Sequence, residues 1–97
     1  MSNGTRKTVL KNVGQAITAL HEQNIVFGDL RRPNILVTTK GTILVDFEWC
    51  GRHNTDRYPV TMSTEISWPE GARPGGLLMR AHDDHWLQVL RHDLNLY

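Results

Sequence analysis

Two short apolar runs, residues 35–37 and 43–45, constrain the fold more than any other feature of this chain, because only five polar or glycine residues separate them. Short runs rich in β-branched residues favour strands, and so brief a connection favours an antiparallel hairpin. The unbroken apolarity of both runs predicts burial on both faces, or packing under the preceding helix. We therefore expect a hairpin that the rest of the chain covers.

Helical periodicity flanks this hairpin on both sides. Before it, apolar residues recur at intervals of three and four, at Val9, Leu10, Val13, Ile17 and Leu20. That spacing lines one face of a helix, with Thr5 or Thr8 as the candidate N-cap and Asn24 as a left-handed residue at its end. A second helix is predicted over residues 82–96, after an ordered loop over residues 52–80 that is rich in Pro, Gly and Trp. The predicted fold class is α+β, with a helix packed on short β-hairpins, a long loop and a C-terminal helix.

Size and charge exclude several classes of function. A chain of 97 residues forms one domain, and 11 Lys and Arg against 10 Asp and Glu leave a net charge of only +1. Nucleic-acid binding is not expected, because it needs a basic stripe that this sequence lacks. Neither a signal peptide nor a membrane-spanning run is visible, and a lone cysteine, Cys50, fits a reducing compartment. The expected location is the cytoplasm, with the nucleus not excluded.

The residues around the hairpin carry chemistry. Asp29 and Asn34 lie five apart on the segment before the first strand, and Asp46 directly follows the second run. A hairpin that folds back on itself can turn these side chains toward a common point. Carboxylate and amide oxygens suit Mg²⁺, and a further carboxylate can orient or deprotonate a hydroxyl. This combination is the one that phosphoryl transfer requires.

The same residues resemble the catalytic core of protein kinase-like phosphotransferases, with their H-R-D-L-x-x-x-N catalytic loop and D-F-G metal-binding turn. The corresponding segments are residues 27–34, Phe-Gly-Asp-Leu-Arg-Arg-Pro-Asn, and residues 46–48, Asp-Phe-Glu. The pattern is most similar to fungal-type kinase-like proteins, which have a G-D-L-R-x-x-N loop, a D-F-x-W-x-G turn and a later R-Y-P. Residues 57–59 are Arg-Tyr-Pro. The resemblance is strong over residues 20–58.

This resemblance implies a role for each site residue. Asp29 would be the catalytic base, and Arg31 would contact the transferring phosphate of ATP. Asn34 and Asp46 would bind the nucleotide through Mg²⁺, and Glu48 is a possible further metal ligand. The implied acceptor is a protein Ser or Thr hydroxyl. A small-molecule alcohol, as in choline or aminoglycoside kinases, is the first alternative, since those enzymes share the Gly-Asp loop and an acid two residues after the metal-binding Asp.

Two departures from the kinase pattern shape the expectation. Phe27 and Gly28 replace the His-Arg pair, so the arginine that receives an activation-loop phosphate in many kinases is absent. No G-x-G-x-x-G loop or strand lysine precedes the core. We therefore expect a single partial domain over residues 1–97, a C-lobe without its N-lobe, that is weakly active or inactive alone. The non-catalytic alternative is a truncated pseudokinase whose uncovered surface binds a partner.

Other polar and aromatic residues have structural interpretations. The segment 82–85, His-Asp-Asp-His, is interpreted as a solvated helix start instead of a metal cluster. By the kinase resemblance, Asp83 or Asp84 would hydrogen-bond the backbone of the catalytic loop. Cys50 is expected to pack as a small apolar residue. The three tryptophans are expected to be core or lobe-interface anchors and not base-stacking platforms.

Overall fold

The computed structural model describes residues 2–96, so Met1 and Tyr97, the ends of the predicted domain, lie outside the described residues. The first helix, α1, spans Asn3–Glu22, and its buried face carries Val9, Val13 and Ile17 at four-residue spacing. The prediction of Thr5 or Thr8 as N-cap is wrong. Ser2 caps the helix, because its hydroxyl oxygen accepts the backbone N–H of Thr5 at 3.1 Å.

Short antiparallel strands follow α1 in two separate pairs. Asn24, in the left-handed region at φ 63°, turns the chain out of α1 into β1, Ile25–Val26. Strand β1 pairs with β4, Gly51–Arg52, whereas β2, Ile35–Thr38, forms a hairpin with β3, Gly41–Leu44. The hairpin forms as the two apolar runs predict, so the two segments that flank it are brought close together.

The expected covering of the hairpin is only partly present. Strand β3 packs against α1, but Leu36, Val37 and Ile43 are 45%, 46% and 49% exposed. Of the two predicted alternatives, packing under the preceding helix is confirmed, whereas burial on both faces is wrong, because the described residues pack against only one face of the hairpin. An apolar surface is left beside the predicted catalytic loop.

The second helix, α2, spans Arg80–Asp93, compared with the 82–96 that the pattern predicts. Its buried residues Trp86 and Leu90 pack against α1 and the segment after β1 in the larger core cluster. Between β4 and α2, the predicted ordered loop is irregular except for one isolated bridge between Arg57 and Leu77. The fold is thus α+β, as predicted, and α2 lies directly behind the residues expected to carry the chemistry.

Within residues 2–96, neither helix combines the length and the apolarity that crossing a bilayer would require. The tryptophans pack as core residues, as predicted. Trp86 is buried, and Trp49 and Trp68 pack at the edges of the two apolar clusters.

Candidate active site

The predicted catalytic loop is anchored from behind by one buried carboxylate. Asp83, on α2, is fully buried, and its two oxygens accept the backbone N–H groups of Phe27 at 2.8 Å and Gly28 at 3.0 Å. The Nε2 atom of His21 lies 2.9 Å from the same carboxylate. The resemblance left Asp83 and Asp84 open as the anchor, and the geometry selects Asp83, since Asp84 is exposed.

The interpretation of residues 82–85 as a solvated helix start is therefore wrong for its first two members. His82 and Asp83 are buried, 4% and 0% exposed, because their polar atoms find partners inside the protein. Asp84 and His85 are exposed, as expected for the solvent side of a helix.

Within the loop that Asp83 anchors, the Asp29 carboxylate is paired with the Arg31 guanidinium. Asp29 is 5% exposed, and its two oxygens accept hydrogen bonds from Nε and, at 3.2 Å, Nη2 of Arg31. The Arg31 guanidinium also lies over the Trp68 ring, 5.4 Å from its centroid. The hydrogen bond to Asp29 raises the pKa of Arg31, and the charges of Asp29 and Asp46 reinforce that rise while partial burial opposes it. Arg31 is therefore a permanent cation held at the mouth of the loop.

Asn34 closes the same loop from the other end. Its side-chain amide nitrogen donates to the backbone carbonyl of Asp29 at 2.8 Å, across the short 3₁₀ helix Arg32–Asn34. This hydrogen bond orients the amide and leaves Oδ1 as the oxygen that can serve as a ligand. Asn34 is 6% exposed, so a neighbouring ligand would meet an oxygen that packing already holds in place.

Asp46 is joined to this loop through the backbone. The N–H of Val45 donates to the carbonyl of Asn34 at 2.9 Å, which ties the end of the hairpin to the end of the catalytic loop. Asp46 itself is exposed and in the left-handed region, at φ 64° and ψ 67°. A non-glycine residue in that region carries strain that often marks a functional position. The hydrogen bond from Arg31 to Asp29 is the main cause of the raised pKa of Arg31, and the charge of Asp46 makes the smallest contribution to that rise.

Glu48 stands apart from the other predicted ligands. It is exposed on the 3₁₀ helix Phe47–Trp49, where Phe47 packs edge-on against Phe27 with ring centroids 5.1 Å apart. Among the described residues, no hydrogen bond or ion pair joins Glu48 to Asp29, Asn34 or Asp46. Hydrogen bonds thus join Asp29, Arg31 and Asn34, whereas Asp46 is attached to them through the backbone and Glu48 is not.

The oxygen atoms at this site suit a hard cation. Within residues 2–96, no group of three or more His, Cys, Asp or Glu side chains is placed to hold a metal ion. A site here would instead need the amide oxygen of Asn34 beside the carboxylate of Asp46, with phosphate and water completing the shell. Mg²⁺ accepts such a set, since it is usually held by one or two protein oxygens plus substrate phosphates.

Sequence reasoning did not predict how two buried neighbours of the loop contact each other. Tyr58 is buried, with its hydroxyl 2.9 Å from Nδ1 of His82 and 3.4 Å from the carbonyl of Gly28. The Arg-Tyr-Pro segment signals that Tyr58 matters, because it belongs to the resemblance. No local signal predicts the contact with His82, which lies 24 residues away in the sequence.

Cys50 has the structural role that was predicted for it. Burial, together with the charge of Asp83, raises the pKa of the Cys50 thiol to about 11. A thiol that stays protonated at neutral pH is a poor nucleophile.

Comparison with known proteins identifies the family. The family model for the lipopolysaccharide kinase (Kdo/WaaP) family matches residues 1–59, which include α1, the catalytic loop, the hairpin and the turn at Asp46. Two Drosophila melanogaster proteins are also similar. They are named as two sets of forms of cGMP-dependent protein kinase, isozyme 2. Each is 36% identical to this chain over 87 residues, and the match covers 84% of this chain. The chain spans only 9% and 8% of their respective lengths. Because the family model covers more than half of the sequence, including every predicted site residue, this chain belongs to the lipopolysaccharide kinase (Kdo/WaaP) family of kinase-like proteins.

Proposed function

We propose that this chain provides the catalytic loop and the metal-binding turn of an ATP- and Mg²⁺-dependent phosphotransferase, of the fungal kinase-like type. One observation carries the proposal. A buried loop pinned by Asp83 holds Asp29, Arg31 and Asn34 together, and a backbone hydrogen bond ties it to the segment that bears Asp46. Membership of a kinase family supports the same chemistry.

The roles follow from the chemistry of phosphoryl transfer, in which positioning and charge stabilisation supply most of the catalysis. Asp29 accepts a hydrogen bond from the acceptor hydroxyl and receives its proton. Arg31, now paired with Asp29, shifts toward the negative charge of the transferred phosphoryl group. Asn34 and Asp46 hold the cation, which when bound neutralises phosphate charge. The close pairing of Asp29 with Arg31 in the free protein is compatible with these roles, since catalytic contacts often rearrange when substrate binds.

A cavity beside the loop supports a protein acceptor. It measures about 350 Å³, and its walls are mainly apolar side chains of the loop, of α2 and of the segment around Ile66. Leu30 and Arg31, which directly follow Asp29 in the loop, line one side of this cavity. An apolar side chain next to the acceptor Ser or Thr fits that lining. The similarity to proteins named as protein kinases favours the same acceptor class.

A non-protein hydroxyl is the alternative acceptor. The family that matches is described as lipopolysaccharide kinases, a name that specifies a lipopolysaccharide acceptor. The Gly28-Asp29 pair and the acidic Glu48 also resemble small-molecule kinases of the choline and aminoglycoside type. Comparing a peptide array with sugar and amino-alcohol acceptors would separate these two classes.

A non-catalytic role is the second candidate function, and the uncovered hairpin favours it. Leu36 and Ile43 pair across the hairpin, so both lie on the same face, where they are 45% and 49% exposed. Exposed apolar side chains grouped on one face are typical of an interface. We propose that a partner, or another part of a longer protein, covers this face of the hairpin.

The single cysteine, Cys50, is half-buried and is consistent with a cytoplasmic setting.

Calorimetric titration with Mg·ATP tests the metal site. We expect the parent to bind Mg·ATP. Asp46→Asn should lose at least tenfold in affinity, since one charge-assisted contact contributes about 1.5–3 kcal/mol. The affinity of the matched control Glu48→Gln should change by less than about threefold. Equal affinity of the parent and Asp46→Asn would exclude Asp46 as a metal ligand.

A phosphotransfer assay with Asp29→Ala tests the role of Asp29 as the catalytic base. Retention of the parent's rate in that variant would remove Asp29 from the role.

A further inference from the structure

Both backbone polar groups of Gly28 are linked to α2. The N–H contacts Asp83 directly, and the carbonyl is linked to His82 through the hydroxyl of Tyr58. The Gly28 N–H donates to Asp83, and the Gly28 carbonyl lies 3.4 Å from the Tyr58 hydroxyl, which in turn contacts His82. Gly28 adopts φ +88°, and a Cβ built there would lie 3.1 Å from the carbonyl oxygen of Trp49. A side chain therefore does not fit at the position directly before Asp29, and the conformation of this peptide depends on hydrogen bonds.

The hydrogen bonds of His82 determine where its proton lies. Its Nε2 atom is 3.1 Å from the backbone carbonyl of Glu70, and a carbonyl can only accept. Nε2 therefore carries the hydrogen in the neutral ring, and Nδ1 is an acceptor. The Tyr58 hydroxyl then donates its single hydrogen to Nδ1. It has no hydrogen left for the Gly28 carbonyl, so no hydrogen bond forms there in this state.

Protonation of His82 reverses this arrangement. A hydrogen on Nδ1 donates to the Tyr58 oxygen, and the hydroxyl hydrogen must turn to another acceptor. The carbonyl of Gly28 is the acceptor at hand, and it belongs to the same peptide unit as the N–H of Asp29. One proton at His82 thus adds a hydrogen bond to the peptide that precedes the predicted catalytic base.

We propose that Tyr58 and His82 are positioning residues for Asp29, and that the protonation of His82 transfers the Tyr58 hydrogen bond from His82 to the Gly28 carbonyl. The role of Asp29 itself rests on the proposed function, whereas the exchange of hydrogen bonds does not.

Burial of the His82 ring favours its neutral form at neutral pH. Burial lowers the pKa of His82, the exposed His85 and the nearby His53 lower it further, and the Glu70 carbonyl and the Asp83 carboxylate oppose the change. Tyr58 remains a hydroxyl, because burial and the charges of Asp83 and Asp29 raise its pKa. The exchange therefore takes place on acidification below the usual range of histidine.

Nuclear magnetic resonance of the labelled chain tests this directly. At neutral pH we expect the His82 ring nitrogens to report the Nε2–H tautomer. During acidification, the Gly28 carbonyl and Asp29 amide resonances should shift with the midpoint of the His82 ring and not with that of the Asp83 carboxyl carbon. The co-titration should be lost in Tyr58→Phe and retained in the matched control His85→Gln.

An Nδ1–H tautomer in the parent would overturn the proposal, even if Tyr58→Phe does not fold. So would co-titration that survives in Tyr58→Phe, or a fold that melts before His82 takes up its proton. For protein that transfers phosphate, Tyr58→Phe should lower kcat and change its pH profile while leaving the KM for ATP unchanged. Absence of phosphotransfer would count against the proposed function and would leave the resonance data to decide the exchange.

Discussion

Replacing Asp83 by Asn removes the charge that holds the catalytic loop while keeping the shape of the side chain. In the parent, the carboxylate accepts two buried backbone N–H groups, at 2.8 Å from Phe27 and 3.0 Å from Gly28. An amide has only one oxygen, so at least one of these N–H groups faces an NH₂ group and loses its acceptor. Losing one charge-assisted hydrogen bond and weakening the other costs about 2–4 kcal/mol, since each contributes about 1.5–3 kcal/mol. A domain of this size is stable by only about 5–15 kcal/mol.

Thermal unfolding followed by circular dichroism measures this loss. We expect Asp83→Asn to lower Tm by about 8–32 °C, because about 1 kcal/mol shifts Tm by about 4–8 °C in a small domain. The matched control is Asp84→Asn, an exposed neighbour on the same helix that should change stability by less than about 0.5 kcal/mol. Equal effects of the two substitutions would refute the inference that Asp83 is the anchor of the loop.

Three further predictions concern single residues. Gly28→Ala should destabilise the fold by about 1–3 kcal/mol because of its positive φ and close neighbours, whereas Gly14→Ala, in an open part of α1, should stabilise it by about 1 kcal/mol. Urea unfolding measures both, and a neutral Gly28→Ala would contradict the packing described around it. Burial raises the pKa of the Cys50 thiol to about 11. Cys50 should therefore react with iodoacetamide at pH 7.5 at least tenfold more slowly in the folded protein than in the urea-unfolded protein. Equal rates would show that folding does not shield this thiol. His82 has a lowered pKa in the folded state, so the unfolded chain binds its proton first. Stability should therefore fall as pH drops below about 6.5, and His82→Gln should flatten that dependence in urea titrations at several pH values.

The sequence predicts the parts of this fold that local spacing determines. The hairpin forms where two apolar runs flank a short polar connection, and Asn24 leaves α1 in the left-handed conformation that short polar residues tolerate. Asp29, Arg31 and Asn34 lie together because they share one loop of six residues. Spacing along the chain is enough to specify these contacts.

Other features depend on distant contacts that no local pattern contains. An apolar run does not reveal whether the rest of the chain covers both of its faces, and so the exposure of Leu36 and Ile43 was not predicted. His82 reads as a polar residue at a helix start. It is buried because Tyr58 and the Glu70 carbonyl pair with its two ring nitrogens, from positions 24 and 12 residues away. Only the folded chain shows that both of these partners are present.

Paramagnetic relaxation by Mn²⁺ tests the central claim most directly, because it locates a bound cation without requiring turnover. Mn²⁺ replaces Mg²⁺ in oxygen-rich sites, and it broadens the resonances of nuclei close to it. In the presence of ATP, we predict selective broadening at Asn34 and Asp46 in the parent and its loss in Asp46→Asn. Broadening that is absent from these two residues, or that persists in Asp46→Asn, would contradict the assignment of this loop and turn as the metal-binding core of a phosphotransferase.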